Sequence, residues 1–390
     1  MKLNCLNNKQ DPVSLYRHFA RQAFYILSLK EVENQQFGCI KIETQMNIKI
    51  GLMGTGLMAS LFTRAVEITD SANVEAVLIR PNSEAQDFAT KNRIRKTYYS
   101  EEAFLNDPDV DIVYIASPHS IHKRQIIAAL NAGKHVFCEK PLCVNVGEAR
   151  EVINLARAKK LFLMEAMWIR FLPSVIQALD WIRQGEIGDV HLVESHNGSG
   201  ALLREKINQR LLLPELAGGA LLELGVFPVS LGSFIFGDKP NHISASASFS
   251  DKGVDRQTSM ILTYDNGAML NGNCSLEVNI SNGSYIYGTK GSIEIPSYWW
   301  ARRPMKLLRE NKTPLLVEDS HENWFEGYSY QVKEMVHCLM NGLTESPTIS
   351  LDETASIIET LDQIRDTIGL KYPMDETSPE IFEAQPARVA

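Results

Sequence analysis

Three short stretches of this chain carry residues whose types and spacing suit chemistry, and each follows an apolar run. Residues 50–59 read Ile-Gly-Leu-Met-Gly-Thr-Gly-Leu-Met-Ala. Gly54 suits a tight turn, Gly56 lets the backbone approach a pyrophosphate, and Ala59 stands where a third small residue allows close helix-on-strand packing. The amides of Thr55, Gly56, Leu57 and Met58 then open a helix whose dipole favours an anion. The pattern predicts a dinucleotide site. The second stretch, Ala116-Ser117-Pro118-His119-Ser120-Ile121-His122, falls at the carboxyl end of a strand, the edge that faces the ligand crevice in doubly wound sheets. Ser117, Pro118, His119 and His122 read either as lining the cofactor or as a helix-start loop with one packed imidazole. No third ligand joins the histidines, so no metal site is expected. The third stretch is Val136-Phe137-Cys138-Glu139-Lys140-Pro141. A lysine at a strand's carboxyl end, beside apolar side chains and a nicotinamide cation, can exchange a proton near neutral pH. Lys140 is therefore the leading catalytic candidate; the alternative is a structural cation paired with Glu139 or with a phosphate.

The end of the second strand distinguishes the two nicotinamide dinucleotides. A carboxylate there binds the adenosine ribose and repels a 2′-phosphate, whereas an arginine pairs with that phosphate. The segment reads Val77-Leu78-Ile79-Arg80-Pro81-Asn82, with no acid at its tip, and Glu75 lies too early. Arg80 predicts NADP, with NAD as the alternative.

These groups need a scaffold, and the periodicity supplies one. Strands are readable from Met46 through Leu52 and at Val74–Ile79, Asp111–Ala116, His135–Cys138 and Leu161–Glu165, with helices between them at Leu57–Ile68, Ser83–Asn92, Ser120–Ala132 and Asn145–Lys160. This alternation predicts an α/β fold, a Rossmann doubly wound parallel sheet over residues 46–168. Beyond it the pattern changes. Helices are expected near Pro173–Gln184 and Gly218–Phe236. Strand-like runs follow at Val190–Ser195, Ile243–Phe249, Gln257–Asp265, Ala268–Glu277, Ser284–Tyr287 and Ser292–Pro296, then helices Tyr328–Met340 and Leu351–Ile368. Residues 169–373 thus predict an α/β substrate and dimerisation domain with a large, mostly antiparallel open sheet, and 374–390 a tail. Met260 to Tyr264 and Met269 to Cys274 alternate in a way that suggests at least partial cover of the sheet's other face; the expected homodimer through that sheet rests mainly on the family resemblance given below.

Composition narrows the partners. The 390 residues are 44% hydrophobic and 22% charged, enough for two domains, and the net charge of −8 with no basic cluster argues against nucleic acid and anionic membrane surfaces. Small molecules are the expected partners. Six cysteines form no Cys-x-x-Cys pair, which fits a reducing compartment, the cytoplasm. No apolar run is expected to reach the roughly 18 residues that span a bilayer. Residues 1–45 read as an extension outside the fold: an upstream-start artefact, a docking arm, or a targeting helix around Val13–Lys30 that its acidic residues fit poorly.

With these motifs assembled, the chain over residues 46–373 resembles the glucose-fructose oxidoreductase / inositol dehydrogenase / rhizopine catabolism (Gfo/Idh/MocA) family. The resemblance rests on the glycine fingerprint, Ser-Pro-x-x-x-His and Glu-Lys-Pro. Within the family it is similar to the dimeric dihydrodiol dehydrogenase / D-xylose dehydrogenase group through Leu161 to Phe171, Gly218 to Gly225 and Gly288-Thr289-Lys290-Gly291. The resemblance implies an NADP-dependent oxidoreductase moving hydride to or from a secondary alcohol or hemiacetal carbon of a sugar-like, polyol or cyclic diol substrate. It gives Lys140 a role in positioning the reacting hydroxyl and makes Glu139 a cofactor neighbour. Trp168 and Arg170 are placed against cofactor and substrate, with Glu223 and Phe227 in the substrate pocket. At the last pair the chain departs from the family, which has aspartate followed four residues later by histidine, or by tyrosine in the dihydrodiol group. On a helix Glu223 and Phe227 still share a face, but a phenyl ring cannot move a proton. Lys140 then works alone or with water, His119 or His196 substitutes, or the protein is a non-catalytic dinucleotide-binding regulator.

Overall fold

A computed structural model describes residues 47–79, 83–200, 209–237, 239–297, 304–317 and 324–375. Arg80, the N-terminal extension with its expected helix, and the tail beyond Asp375 lie outside the described residues. Short runs of Ile, Val and Leu make a six-stranded parallel sheet: β1 (Ile48–Met53), β2 (Ala72–Leu78), β3 (Lys96–Tyr98), β4 (Ile112–Ile115), β5 (His135–Glu139) and β6 (Leu163–Ala166), in the order β3-β2-β1-β4-β5-β6. Every residue of β4 and β6 is buried, as expected for strands covered on both faces. The cover comes from α1 (Leu57–Glu67), α2 (Ser83–Lys91), α3 (Glu101–Leu105), α4 (His122–Asn131) and α5 (Val146–Lys159). The strand order reverses between β1 and β4, so a crevice opens at their carboxyl ends.

Eight strands form the second sheet: β7 (Val190–Gly198), β8 (His242–Phe249), β9 (Asp255–Thr263), β10 (Met269–Ser275), β11 (Ser284–Gly288), β12 (Gly291–Ile295), β13 (Met305–Arg309) and β14 (Leu315–Val317). Their order is β14-β13-β12-β11-β7-β10-β9-β8, antiparallel throughout except for the parallel β7–β10 pair. The strands alternate in burial. Met260, Leu262, Leu270, Cys274, Ile286 and Ile293 are buried, while Ile261, Met269 and Tyr287 emerge on the other face. The remaining helices are α6 (Pro173–Arg183), α7 (Val226–Phe236), α8 (Trp324–Met340) and α9 (Leu351–Ile368). One apolar core runs from Leu52 and Phe137 of the first sheet and Phe62 of α1 to Met260 and Ile293 of the second sheet and to Leu221 and Val226 of the helical segment 221–236. Each fully buried Leu, Ile or Phe contributes about 1.5–3 kcal/mol relative to exposure, so this shared core couples the two sheets.

Among the described strands and α-helices, four escape the sequence reading: β3, α3, β13 and β14, each five residues or fewer. They are too short to set up a period of their own. The expected continuous helix over Gly218–Phe236 is instead a π-helical turn, Leu221–Gly225, running into α7. The helical stretch Pro214–Phe236 is also long and apolar enough to cross a membrane by length and composition, contrary to the expectation that no run would be. Most of it is buried inside this fold.

A buried carboxyl fastens β6 to α9. Glu165 accepts the Leu142 amide proton at 3.0 Å and the Thr354 hydroxyl at 3.1 Å. Burial pushes its pKa up from 4.5 to about 7. A carboxyl raised on folding binds its proton more tightly in the native state, so it contributes stability at low pH that is lost between the two values as pH rises. Glu165→Gln, which mimics the protonated form, is expected to stabilise by up to about 3 kcal/mol at pH 8 and by under about 1 kcal/mol at pH 5. Urea melts at the two pH values check this; equal effects at both would contradict it.

Candidate active site

The glycine loop builds a phosphate cradle. Gly54 sits at the end of β1 with φ +124°, and a Cβ there would run into the Ala116 carbonyl across the reversal point. Gly56 caps α1 with extended backbone and no side-chain bond to the first amides, and the first turn holds no acid. Nothing lies within 4 Å of where its Cβ would stand. Unpaired amides, a positive helix end and open space fit a pyrophosphate. Ala59 is fully buried beneath them, and Leu57 and Met58 open the helix beside half-buried Thr55 and exposed Gly56. In the second loop Ser117 donates its hydroxyl proton to Gln125 at 2.6 Å. His122 is wholly buried, its ring nitrogens each 3.0 Å from a backbone carbonyl, of Ser117 and of Pro141. Burial and then the neighbouring His119 lower its pKa to about 4. His122 therefore ties this loop to the Lys140-Pro141 turn.

That turn carries a cis peptide between Lys140 and Pro141. Glu139 points into the protein, where Oε1 accepts the Tyr114 hydroxyl at 2.6 Å and the Tyr328 hydroxyl, and Oε2 accepts the Lys140 amide at 3.3 Å. Burial raises its pKa. Lys140 points the other way. Its Nζ donates to the Glu223 carbonyl at 2.7 Å, lies 3.6 Å from Glu223 Oε2, and stands 5.2 Å from the centroid of the Phe227 ring.

Glu223 is presented by the π-helical turn, a feature that often marks functional sites. A sharp approach precedes it. Gly219 has φ +117°, and a Cβ there would strike Asp255. Asp255 in turn accepts the Leu221 amide at 2.8 Å and the Thr258 hydroxyl at 2.7 Å, with burial raising its pKa to about 6. The Glu223 carboxylate meets Arg210 through Oε1 at 3.2 Å and His119 Nε2 through Oε2 at 3.4 Å. Burial alone would raise its pKa, yet Lys140, His119 and Arg210 together hold it well below the usual range. His119 donates from Nδ1 to the Ala217 carbonyl at 3.1 Å, and burial lowers its pKa against the pull of Glu223.

The structure thus brings Lys140, His119, Glu223 and Phe227 together from distant parts of the chain. Trp168 lies near, its ring centroid 5.8 Å from that of Tyr328. Arg170 is turned into the packing: its guanidinium donates to the Ser230 carbonyl at 2.8 Å, pairs with Glu353 at 2.5 Å, and covers the Phe234 ring at 3.7 Å. His196 lies on β7 between buried Ser195 and its own partner Asn273, 3.0 Å away on β10. Its face of the sheet is the one shared with Glu194 and Met269, away from the helices. Sequence reasoning missed Arg210, Tyr114, Tyr328 and Asp255. None carries a local signal, since each acts on a residue far along the chain or inside a turn that periodicity does not encode.

Comparison with known proteins agrees with this architecture. Residues 48–167 match the family described as "Oxidoreductase family, NAD-binding Rossmann fold", and residues 175–294 match the GFO/IDH/MocA C-terminal domain. Trans-1,2-dihydrobenzene-1,2-diol dehydrogenase from Bos taurus is 35% identical over 338 residues, covering 85% of this chain and all of that protein. The Mus musculus enzyme of the same name is 36% identical over 344 residues, with the same coverage. Among solved structures, aldose-aldose oxidoreductase from Caulobacter crescentus complexed with glycerol superposes with TM-score 0.73 at 23% identity, covering 82% of this chain and 97% of that one. Levoglucosan dehydrogenase, complexed with NADH and levoglucosan, gives 0.74 at 19% identity, covering 83% and 97%. At these identities the two structures speak for the fold alone.

Arg170 is expected to act on stability. Removing one partner of a buried ion pair leaves the other uncompensated, so Arg170→Met should lower unfolding free energy by about 3 kcal/mol while NADPH affinity, read by fluorescence titration, stays unchanged. Unaltered stability with weakened NADPH binding would return Arg170 to the cofactor pocket.

Proposed function

The chain belongs to the GFO/IDH/MocA oxidoreductase family, and on that premise we propose that it is an NADP-dependent dehydrogenase or reductase. Its substrate is a secondary alcohol or hemiacetal carbon of a cyclic diol, polyol or sugar-like molecule, or the matching carbonyl in the reverse direction. The observation that carries the reading is Lys140 Nζ held 2.7 Å from the Glu223 carbonyl and 3.6 Å from its carboxylate, at the carboxyl edge of the parallel sheet beside the phosphate cradle. The bound nicotinamide supplies the hydride acceptor or donor. Gly54, Thr55, Gly56, Leu57 and Met58 hold its pyrophosphate, with Ser117 and Pro118 as the facing loop and Arg80 as partner of the 2′-phosphate. Lys140 orients the reacting hydroxyl and takes or returns its proton, and Glu223 fixes the lysine. Trp168 and the Phe227 ring wall the pocket and exclude water.

The relatives named as diol dehydrogenases support the substrate class. The proposed assembly is a homodimer through the face of the second sheet that carries Ile261, Met269 and Tyr287, all more than a third exposed. The proposed compartment is the cytoplasm, supported by free buried thiols at Cys138, Cys143, Cys274 and Cys338. Phe227, lacking an ionisable group, favours a second reading as a dinucleotide-binding regulator.

Nicotinamide absorbance during a screen of diols, sugars and inositols with both cofactors separates the two. Turnover is expected with tighter binding of NADP(H) than NAD(H), and Arg80→Ala should narrow that gap. Lys140→Ala should abolish turnover, and Phe227→Tyr should raise it by up to about 10²-fold, the lower end for one positioned proton carrier. Tight NADPH binding with no turnover in either the parent or Phe227→Tyr would favour the regulator. Light scattering should give a two-chain mass at micromolar concentration; a single-chain mass would remove the dimer.

A further inference from the structure

Phe227 removes the hydroxyl or imidazole on which a proton would ordinarily move, and the structure gathers other proton-bearing groups within reach of Lys140. We propose that Glu223 and His119 form a proton relay behind Lys140 that replaces the group missing at position 227. This rests on the oxidoreductase reading above. The geometry assigns the tautomer. A carbonyl only accepts, so the 3.1 Å contact with Ala217 puts a proton on His119 Nδ1. Nε2 is then the open position, and a proton taken up there would be donated to Glu223 Oε2, 3.4 Å away. The same oxygen lies 3.6 Å from Lys140 Nζ. One carboxylate oxygen therefore stands between the lysine and a basic nitrogen, with space for a single proton on each side.

The groups around the relay fit that role. Glu223 faces Lys140, His119 and Arg210; Arg210 is on the other oxygen, at 3.2 Å. His119 faces Glu223, the Ala217 carbonyl and the edge of His122, with ring centroids 5.7 Å apart. Arg210 keeps the carboxylate anchored as charge passes, and the fixed Nδ1–H holds the imidazole in register. In the oxidising direction the substrate carbon loses hydride to the oxidised nicotinamide while its hydroxyl proton goes to the neutral amine of Lys140, leaving a carbonyl. The amine is regenerated as one proton passes to Glu223 Oε2 and on to His119 Nε2, which becomes imidazolium. In the reducing direction the same proton returns and ends on the new hydroxyl.

The relay predicts a coupling that exists without cofactor or substrate. Histidine side-chain NMR of the full chain, with His119 identified by its loss in His119→Gln, follows its titration in the parent and in Glu223→Gln. Removing the carboxylate charge should lower the His119 pKa by at least about one pH unit; an unchanged value would overturn the relay. His119→Gln should also lower kcat by about 10²-fold and remove the acidic limb of the kcat profile, with NADPH affinity by fluorescence unchanged. Full kcat, or weakened NADPH binding at unchanged kcat, would make His119 a cofactor-loop residue and defeat the proposal. His119→Asn serves if the glutamine variant does not fold. Absence of turnover in the parent sinks the oxidoreductase reading and the relay with it, whereas turnover with uncoupled His119 sinks the relay alone.

Discussion

The hydrogen bond from Lys140 Nζ to the Glu223 carbonyl joins two halves of the chain that are 83 residues apart in sequence, and the surrounding structure can be understood as holding its two ends. On the lysine side, β5 must stop at the carboxyl edge of the parallel sheet, and the turn after it must face the second sheet. Tyr114 and Tyr328 grip Glu139 while His122 bridges the Ser117 and Pro141 carbonyls. On the glutamate side, Gly219 and Asp255 set a turn that ordinary helix geometry would not give, and the π-helical residues carry Glu223 out of the α7 packing. Loosening either end moves the ammonium away from the crevice.

Two buried glutamates and one half-buried glutamate show how partner chemistry sets charge in this molecule. Glu139 and Glu165 are met mainly by hydroxyls and amides, and burial raises both. Glu223 is a fifth exposed but is met by Lys140, Arg210 and His119, and it falls well below the usual range. Taking a carboxylate out of water costs several kcal/mol, while a cation about 4 Å away returns about 4 kcal/mol at an effective dielectric near 20. Two such cations outweigh the burial, whereas neutral donors do not. The carboxylate charge is therefore held where Lys140, Arg210 and His119 converge, and the raised carboxyls sit where neutral donors pack around them.

Much of this was legible in the sequence because it is local. The glycine fingerprint, the buried β4 and β5 runs and the Glu-Lys-Pro turn are written in consecutive residues, and the parallel sheet follows from their alternation with helices. Glu223 and Phe227 were expected to share a helix face, and both lie beside Lys140, although the turn between them is wider than an α-helix. Other parts depend on contacts that no local pattern encodes. Arg170 looked like a pocket residue because it follows Trp168 in a family-like stretch, yet its partners, Ser230 and Glu353, lie 60 and 183 residues away. The outward face of His196 is fixed by the register of β7 on β10, and the pairing of Glu223 with Arg210 by a short 3₁₀ segment lacking periodicity.

The most direct test of the account is a crystal structure of the full chain with NADP and a bound diol. The account predicts the pyrophosphate on the Gly54–Gly56 loop, and the diol hydroxyl within hydrogen-bond distance of Lys140 Nζ with its carbon facing the nicotinamide. Glu223 Oε2 should still lie between Lys140 and His119. A dinucleotide bound away from that loop, or a substrate hydroxyl contacting some other proton carrier while Lys140 stays closed on Glu223, would contradict it.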